Sequence, residues 1–146
     1  MAEAARDGAA NEPAVEARLL PAETAGPSDL LGADGFIFSG PENLAAISGP
    51  LKDFFDRTYY PVLGRIEGRP YAALICAGSD GDNAARQIAR IATGWRLRRI
   101  AEPIVVCTHA QTPEAILAPK TLTAPDIARC RDVGAAFAAG LDAGIF

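Results

Sequence analysis

Three short runs punctuate this 146-residue chain with apolar residues at successive rather than alternate positions: Gly35-Phe36-Ile37-Phe38, Pro70–Ala77 (PYAALICA) and Pro103–Cys107 (PIVVC). Each is bounded by turn-forming residues, so each predicts a strand buried on both faces. The first is expected to break sharply at Ser39-Gly40-Pro41, with Glu42–Ala46 as a loop. Between the runs the period changes to that of a helix. Leu51, Phe54, Phe55 and Thr58 recur on one side and Lys52, Asp53, Asp56 and Arg57 on the other, with Ser48 as N-cap and Pro50 in the first turn. A second helix is predicted from about Asn83 to Trp95, with Ala84, Ile88, Ile91, Ala92 and Trp95 on one face. A third runs from about Pro125 to Ala143.

The amino-terminal third is less regular. Residues 2–10 are alanine-rich and read as the tail of a helix closed by Asn11-Glu12-Pro13. In Ala14–Leu20, Val15, Ala17 and Leu19 alternate with Glu16 and Arg18, which predicts a strand with one wet face or an edge strand. Residues 21–28 are expected to be loop, 29–31 at most one helical turn, and 108–119 loop again. Strands alternating with amphipathic helices imply one α/β domain over residues 1–146, its parallel sheet covered on both faces. Ligands of such sheets bind outside the carboxyl ends of the strands. Two glycine-containing loops stand there, Ser39–Ala46 and Gly78–Asn83. A doubly wound sheet usually opens with an apolar strand feeding a phosphate-cradling loop. Here the chain starts where the following helix is already under way. The expectation is that the upstream coding frame supplies that strand and a Ser/Thr/Gly loop.

Charge and cysteine usage narrow the function classes. A net charge of −4 and a pI near 4.9 argue against general affinity for nucleic-acid backbones or anionic lipid. No apolar run approaches the ~20 residues that span a bilayer, and the first residues lack an apolar signal core. Cys76, Cys107 and Cys130 lie far apart with no CxxC, which suggests a reduced, cytoplasmic compartment. No nucleophile–base pair, metal cluster or paired carboxylate stands out, so hydrolysis finds no support.

The stretches SGPENLAAISGPLKDFFDRTYYP and YAALICAGSDGDNAARQI resemble the flavodoxin-like FMN-binding family, and within it the NAD(P)H-dependent FMN and quinone reductases. The resemblance covers about residues 14–143. It implies a flavodoxin-like, doubly wound parallel sheet in three layers, α/β/α, truncated at its amino end because the family's first strand and phosphate loop have no counterpart. It also implies FMN and NAD(P)H as cofactors, no metal, a small-molecule electron acceptor and a homo-oligomer. By position, the backbone of Pro41, Glu42, Asn43, Leu44 and Ala45 would hold one edge of the isoalloxazine ring. Ala77, Gly78, Ser79, Asp80 and Gly81 would close on the other, with Asn83 nearby.

The same residues have plainer readings. Gly40-Pro41, Gly78 and Gly81 suit tight turns, although close backbone approach to a flat ring needs the same missing Cβ. His109 reads better as a surface loop residue than as a donor to reduced flavin. Arg86, Arg90, Arg96, Arg98 and Arg99 read better as a solvated face than as a site for the 2′-phosphate of NADPH. Cys76 and Cys107 read as core residues. Three functions stay open: a hydride-transferring reductase, a flavodoxin-type electron carrier, and a degenerate domain that kept only the fold. Neither loop carries an aromatic residue to stack on the ring, and the net charge is modest, which favours the reductase over the carrier.

Overall fold

A computed structural model describes the whole chain, Met1–Phe146. Its elements in chain order are α1 (Ala2–Ala9), α2 (Pro27–Gly32), β1 (Phe36–Asn43), β2 (Ala46–Ile47), α3 (Gly49–Val62), β3 (Pro70–Ala77), α4 (Asp82–Gly94), β4 (Arg98–Arg99), β5 (Ile104–Cys107), α5 (Pro113–Leu117) and α6 (Ala124–Asp142). The three apolar runs become neighbouring parallel strands. β3 is central, with β1 in register from Phe36↔Tyr71 to Pro41↔Cys76. On its other side lie first β4 and then β5, the latter from Leu74↔Ile104 to Ala77↔Cys107. β2 folds back antiparallel on the end of β1.

Residue parity explains why these strands are apolar throughout. Phe36, Phe38, Tyr71, Ala73 and Ile75 pack with Leu51, Phe54 and Phe55 of α3 and with Ala84, Ile88 and Ala92 of α4. Ile37, Leu74, Ile104 and Val106 point the other way, toward Ala4 and Ala5 of α1 and Cys130 of α6. The result is a flavodoxin-like three-layer α/β/α arrangement, with both faces of a parallel sheet removed from water. On the second face α1 and α6 cross almost backbone to backbone. A Cβ on Gly8 would lie 2.0 Å from the Arg131 carbonyl oxygen, and one on Gly134 would lie 1.9 Å from that of Ala5. No helix is long and apolar enough to cross a membrane.

The structure corrects several expectations. β1 does not break at Ser39-Gly40-Pro41 but continues through them, paired with Leu74, Ile75 and Cys76. Proline is tolerated in an edge strand, and no strand pairs with the other side of Phe36–Pro41. Residues Glu42–Ala46 are accordingly the turn of a short hairpin rather than a loose loop. Ala14–Leu20 forms no strand, and Glu16–Leu20 make no backbone hydrogen bonds. Its alternating pattern is that of a strand, but a strand exists only through a neighbour, and none is there. α2 is longer than one turn, with the Arg69 guanidinium donating to the carbonyls of Leu30 (2.7 Å) and Leu31 (3.1 Å) at its end. α5 interrupts the expected 108–119 loop, and none of its residues is buried. Of the cysteines, it is Cys130 that is fully buried, whereas Cys76 and Cys107 are half-buried.

Candidate functional site

The two loops singled out in the sequence come together at the carboxyl edge of the sheet. The first is a two-residue hairpin turn in which Asn43 pairs with Ala46, with Leu44 (φ +51°) and Ala45 (φ +57°) at its centre. Two consecutive left-handed residues make this a type I′-like turn, the geometry that suits the twist of a hairpin but favours Asn-Gly over residues with larger side chains. The second runs Gly78-Ser79-Asp80-Gly81 from the end of β3 into α4. Gly81 is the N-cap residue of α4 at φ +76°, and a Cβ there would lie 2.6 Å from Cγ1 of Val105. The fold therefore demands glycine at this position on two grounds.

Side chains from each loop tie it to the other. The Glu42 carboxylate accepts from the Gly81 N–H (3.0 Å) through Oε2 and from the Ala84 N–H (3.2 Å) through Oε1. It thus fills the place of an N-cap on α4, with a negative charge set against the positive end of the helix. In the same first turn the Asn83 amide donates from Nδ2 to the Ala45 carbonyl, and one turn further on the Gln87 Oε1 accepts from the Ile47 N–H at 3.0 Å. Asn83 and Gln87 are four residues apart on α4 and so share a face. The hairpin and the start of α4 are one bonded unit.

That unit leaves backbone donors unused. The N–H groups of Leu44, Ala45, Gly78, Ser79 and Asp80 have no backbone acceptor in the protein. Asp80 turns its own carboxylate to the Asp82 N–H (2.9 Å), and the Gly78 carbonyl accepts from Gln111 (3.4 Å) in the loop after β5. A Cβ on Gly78 would meet only the Ala110 oxygen at 3.4 Å, an ordinary contact, so packing does not require glycine there. Unpaired amides on two adjoining loops, with a glycine the fold does not need, fit the edge of a flat, hydrogen-bonding ring such as the isoalloxazine of FMN.

Of the sequence-predicted residues, Pro41 and Asn43 belong to β1 itself, Ala77 is buried at the end of β3, and Ser79 and Asp80 are exposed. Glu42 and Asn83 spend their side chains within the protein, as described. Gln87 escaped the sequence reading, and the signal for it was a polar residue one helical turn after Asn83. The depression beside Ser39, Gly40, Pro41 and Cys76 is also lined by Met1, Lys120 and Leu122 and measures about 290 Å³. His109 is exposed, at φ +54°. The Cys107 thiol is pushed up by burial and by the nearby Asp80 carboxylate, and donates to the Asp80 carbonyl at 3.6 Å. It is a protonated thiol and not a ready nucleophile. Of the five arginines, Arg96 pairs with Glu67, Arg99 with Glu102, and Arg98 lies over the Phe146 ring, while Arg86 and Arg99 line one cavity.

Comparison with known proteins agrees with this geometry. A flavodoxin of Aquifex aeolicus (strain VF5) is 33% identical over 81 residues, which is 56% of this chain and 44% of the relative. The chain thus spans less than half the length of that curated relative. A flavodoxin from the domain Archaea superimposes with a TM-score of 0.75 at 17% identity, over 96% of this chain and 87% of the other. An NADPH-quinone reductase from P. pentosaceus does so with a TM-score of 0.61 at 16% identity, over 90% and 87%. The family model described as NADPH-dependent FMN reductase matches residues 26–112, more than half of the chain and both loops of the site. A flavodoxin-like fold, two loops clamped at its carboxyl edge and that match together make this chain a member of the NADPH-dependent FMN reductase family.

Proposed function

We propose that this chain binds FMN between the Leu44–Ala45 turn and the Gly78–Gly81 loop and serves as an NAD(P)H-dependent reductase of a small-molecule acceptor. When bound, this cofactor supplies two-electron chemistry between a nicotinamide donor and a quinone or free flavin. The residues of the chain bind and orient. The free amides of Leu44, Ala45, Gly78, Ser79 and Asp80 offer donors to the ring edge. Glu42, Asn83 and Gln87 hold the two loops at one separation. The absence of an aromatic residue from both loops leaves a ring face open for a nicotinamide. The observation that carries this reading is the Glu42 carboxylate, which bonds one loop to the other and so builds a single two-sided cradle.

The phosphate end of the cofactor needs more than these loops. Over Phe36–Pro41 the outer side of β1 pairs with no strand. Three free cysteines suit a reducing compartment, in keeping with a cytoplasmic protein. A homo-oligomer would enclose the exposed carboxyl edge. The flavodoxin-type carrier remains the second reading, favoured by the identity to the Aquifex aeolicus flavodoxin. Anaerobic mixing of the FMN-loaded protein with NADPH and with NADH separates the two. A reductase bleaches the visible flavin absorbance without a second protein, whereas a carrier stays oxidised until a partner reductase is added.

A further inference from the structure

The Leu44–Ala45 turn is costly and gains nothing from packing. A type I′ turn asks for φ > 0 at both central residues, a demand Asn-Gly meets easily. A left-handed residue with an ordinary side chain is disfavoured, because its Cβ crowds the following carbonyl oxygen. Leu44 is fully exposed, so no burial offsets this, and β2 is only two residues long, too short to impose the turn through its ladder. Something outside the hairpin must hold it. Glu42 and Gln87 grip its two arms, but Asn83 alone grips the turn, through the Ala45 carbonyl.

We infer that Asn83 is a positioning residue: by holding the Ala45 carbonyl it keeps Leu44 and Ala45 left-handed, so that their two free N–H groups face the cofactor edge before it binds. This rests on the FMN reading above. Such strain, kept where it serves no packing, is the signature of a preorganised contact, and preorganisation raises affinity by ordering the site in advance. Asn83→Ala should therefore weaken FMN binding about tenfold, the size of one lost hydrogen bond. In the background Leu44→Asn/Ala45→Gly, whose turn adopts the same geometry by itself, the further change Asn83→Ala should cost less than about threefold. Equal losses in the two backgrounds would overturn the inference, since they would mean that Asn83 acts on the ligand directly.

A second readout needs no cofactor. In cofactor-free protein, Asn83→Ala should speed amide hydrogen exchange at Asn43 and Ala46, the paired residues of the hairpin, while leaving β3 unchanged. Unchanged exchange at those two amides would also overturn the role of Asn83. A wild-type protein that fails to bind FMN would instead sink the functional reading, and the exchange measurement would still decide whether Asn83 holds the turn.

Discussion

Gly78 and Gly81 stand three residues apart in one loop, yet the structure asks different things of them. Gly81 is left-handed and packed against Val105, so Gly81→Val forces a branched side chain into an occupied space at a disfavoured φ. Gly78 has neither constraint, and its Cβ position is open apart from one ordinary contact. Gly81→Val should thus cost the fold several kcal/mol, on the order of an overpacked core site with backbone strain added. Gly78→Val should melt close to the wild type but lose flavin binding, because the added branch occupies the approach to the ring. Urea unfolding beside FMN titration checks both, and a Gly78→Val protein that binds FMN normally would move the site elsewhere. The sequence marked both glycines equally as site residues. It had no means to separate them, since the side chain that crowds Gly81 most closely, that of Val105, comes from β5, some 24 residues later in the chain. The clamp made by Glu42, Asn83 and Gln87 was hidden for a related reason: each makes its bond to a partner about 40 residues away.

At the scale of elements, the buried strands were legible because a strand apolar on both faces is apolar in every position. β3 and β5 fall where PYAALICA and PIVVC place them. The strand errors share one cause. Whether a segment becomes a strand depends on a neighbour, and sequence periodicity describes only the segment itself. Ser39-Gly40-Pro41 carries turn residues but has β3 beside it, so it ladders. Ala14–Leu20 alternates well but has no ladder partner, so it does not. α5 lacks apolar periodicity and buries nothing, which left no pattern to read. This neighbour dependence makes a prediction for β1. Alternate residues of a parallel strand direct both backbone groups to the same side, and one side of Phe36–Pro41 pairs with nothing. Hydrogen exchange along β1 should therefore alternate between slow and fast amides, while β3, paired on both sides over Leu74–Cys76, is protected at every one of those positions. Uniform protection of β1 would show that its outer edge is covered.

The molecule as a whole presents two clamped loops at the carboxyl edge of a sheet in which one side of β1, over Phe36–Pro41, pairs with no strand. Its core is divided unequally by the sheet, with the larger cluster and its aromatic packing on the α3–α4 face, where Phe38 meets Phe55 at 5.1 Å, and a smaller cluster with close glycine-mediated helix crossing on the other. Both glycine loops lie at the carboxyl edge where such sheets bind ligands, and a carboxylate and two amides fix their spacing. The function proposed above makes this clamped pair of loops a flavin cradle in the 146 residues as they stand. Quenching of FMN fluorescence on titration with the purified protein tests it most directly. Saturable quenching with weak affinity is expected, since charge-assisted bonds to the phosphate are each worth ~1.5–3 kcal/mol and the two loops alone do not supply them. Gly78→Val should abolish the signal. An absence of quenching up to millimolar protein, with the chain folded, would contradict it.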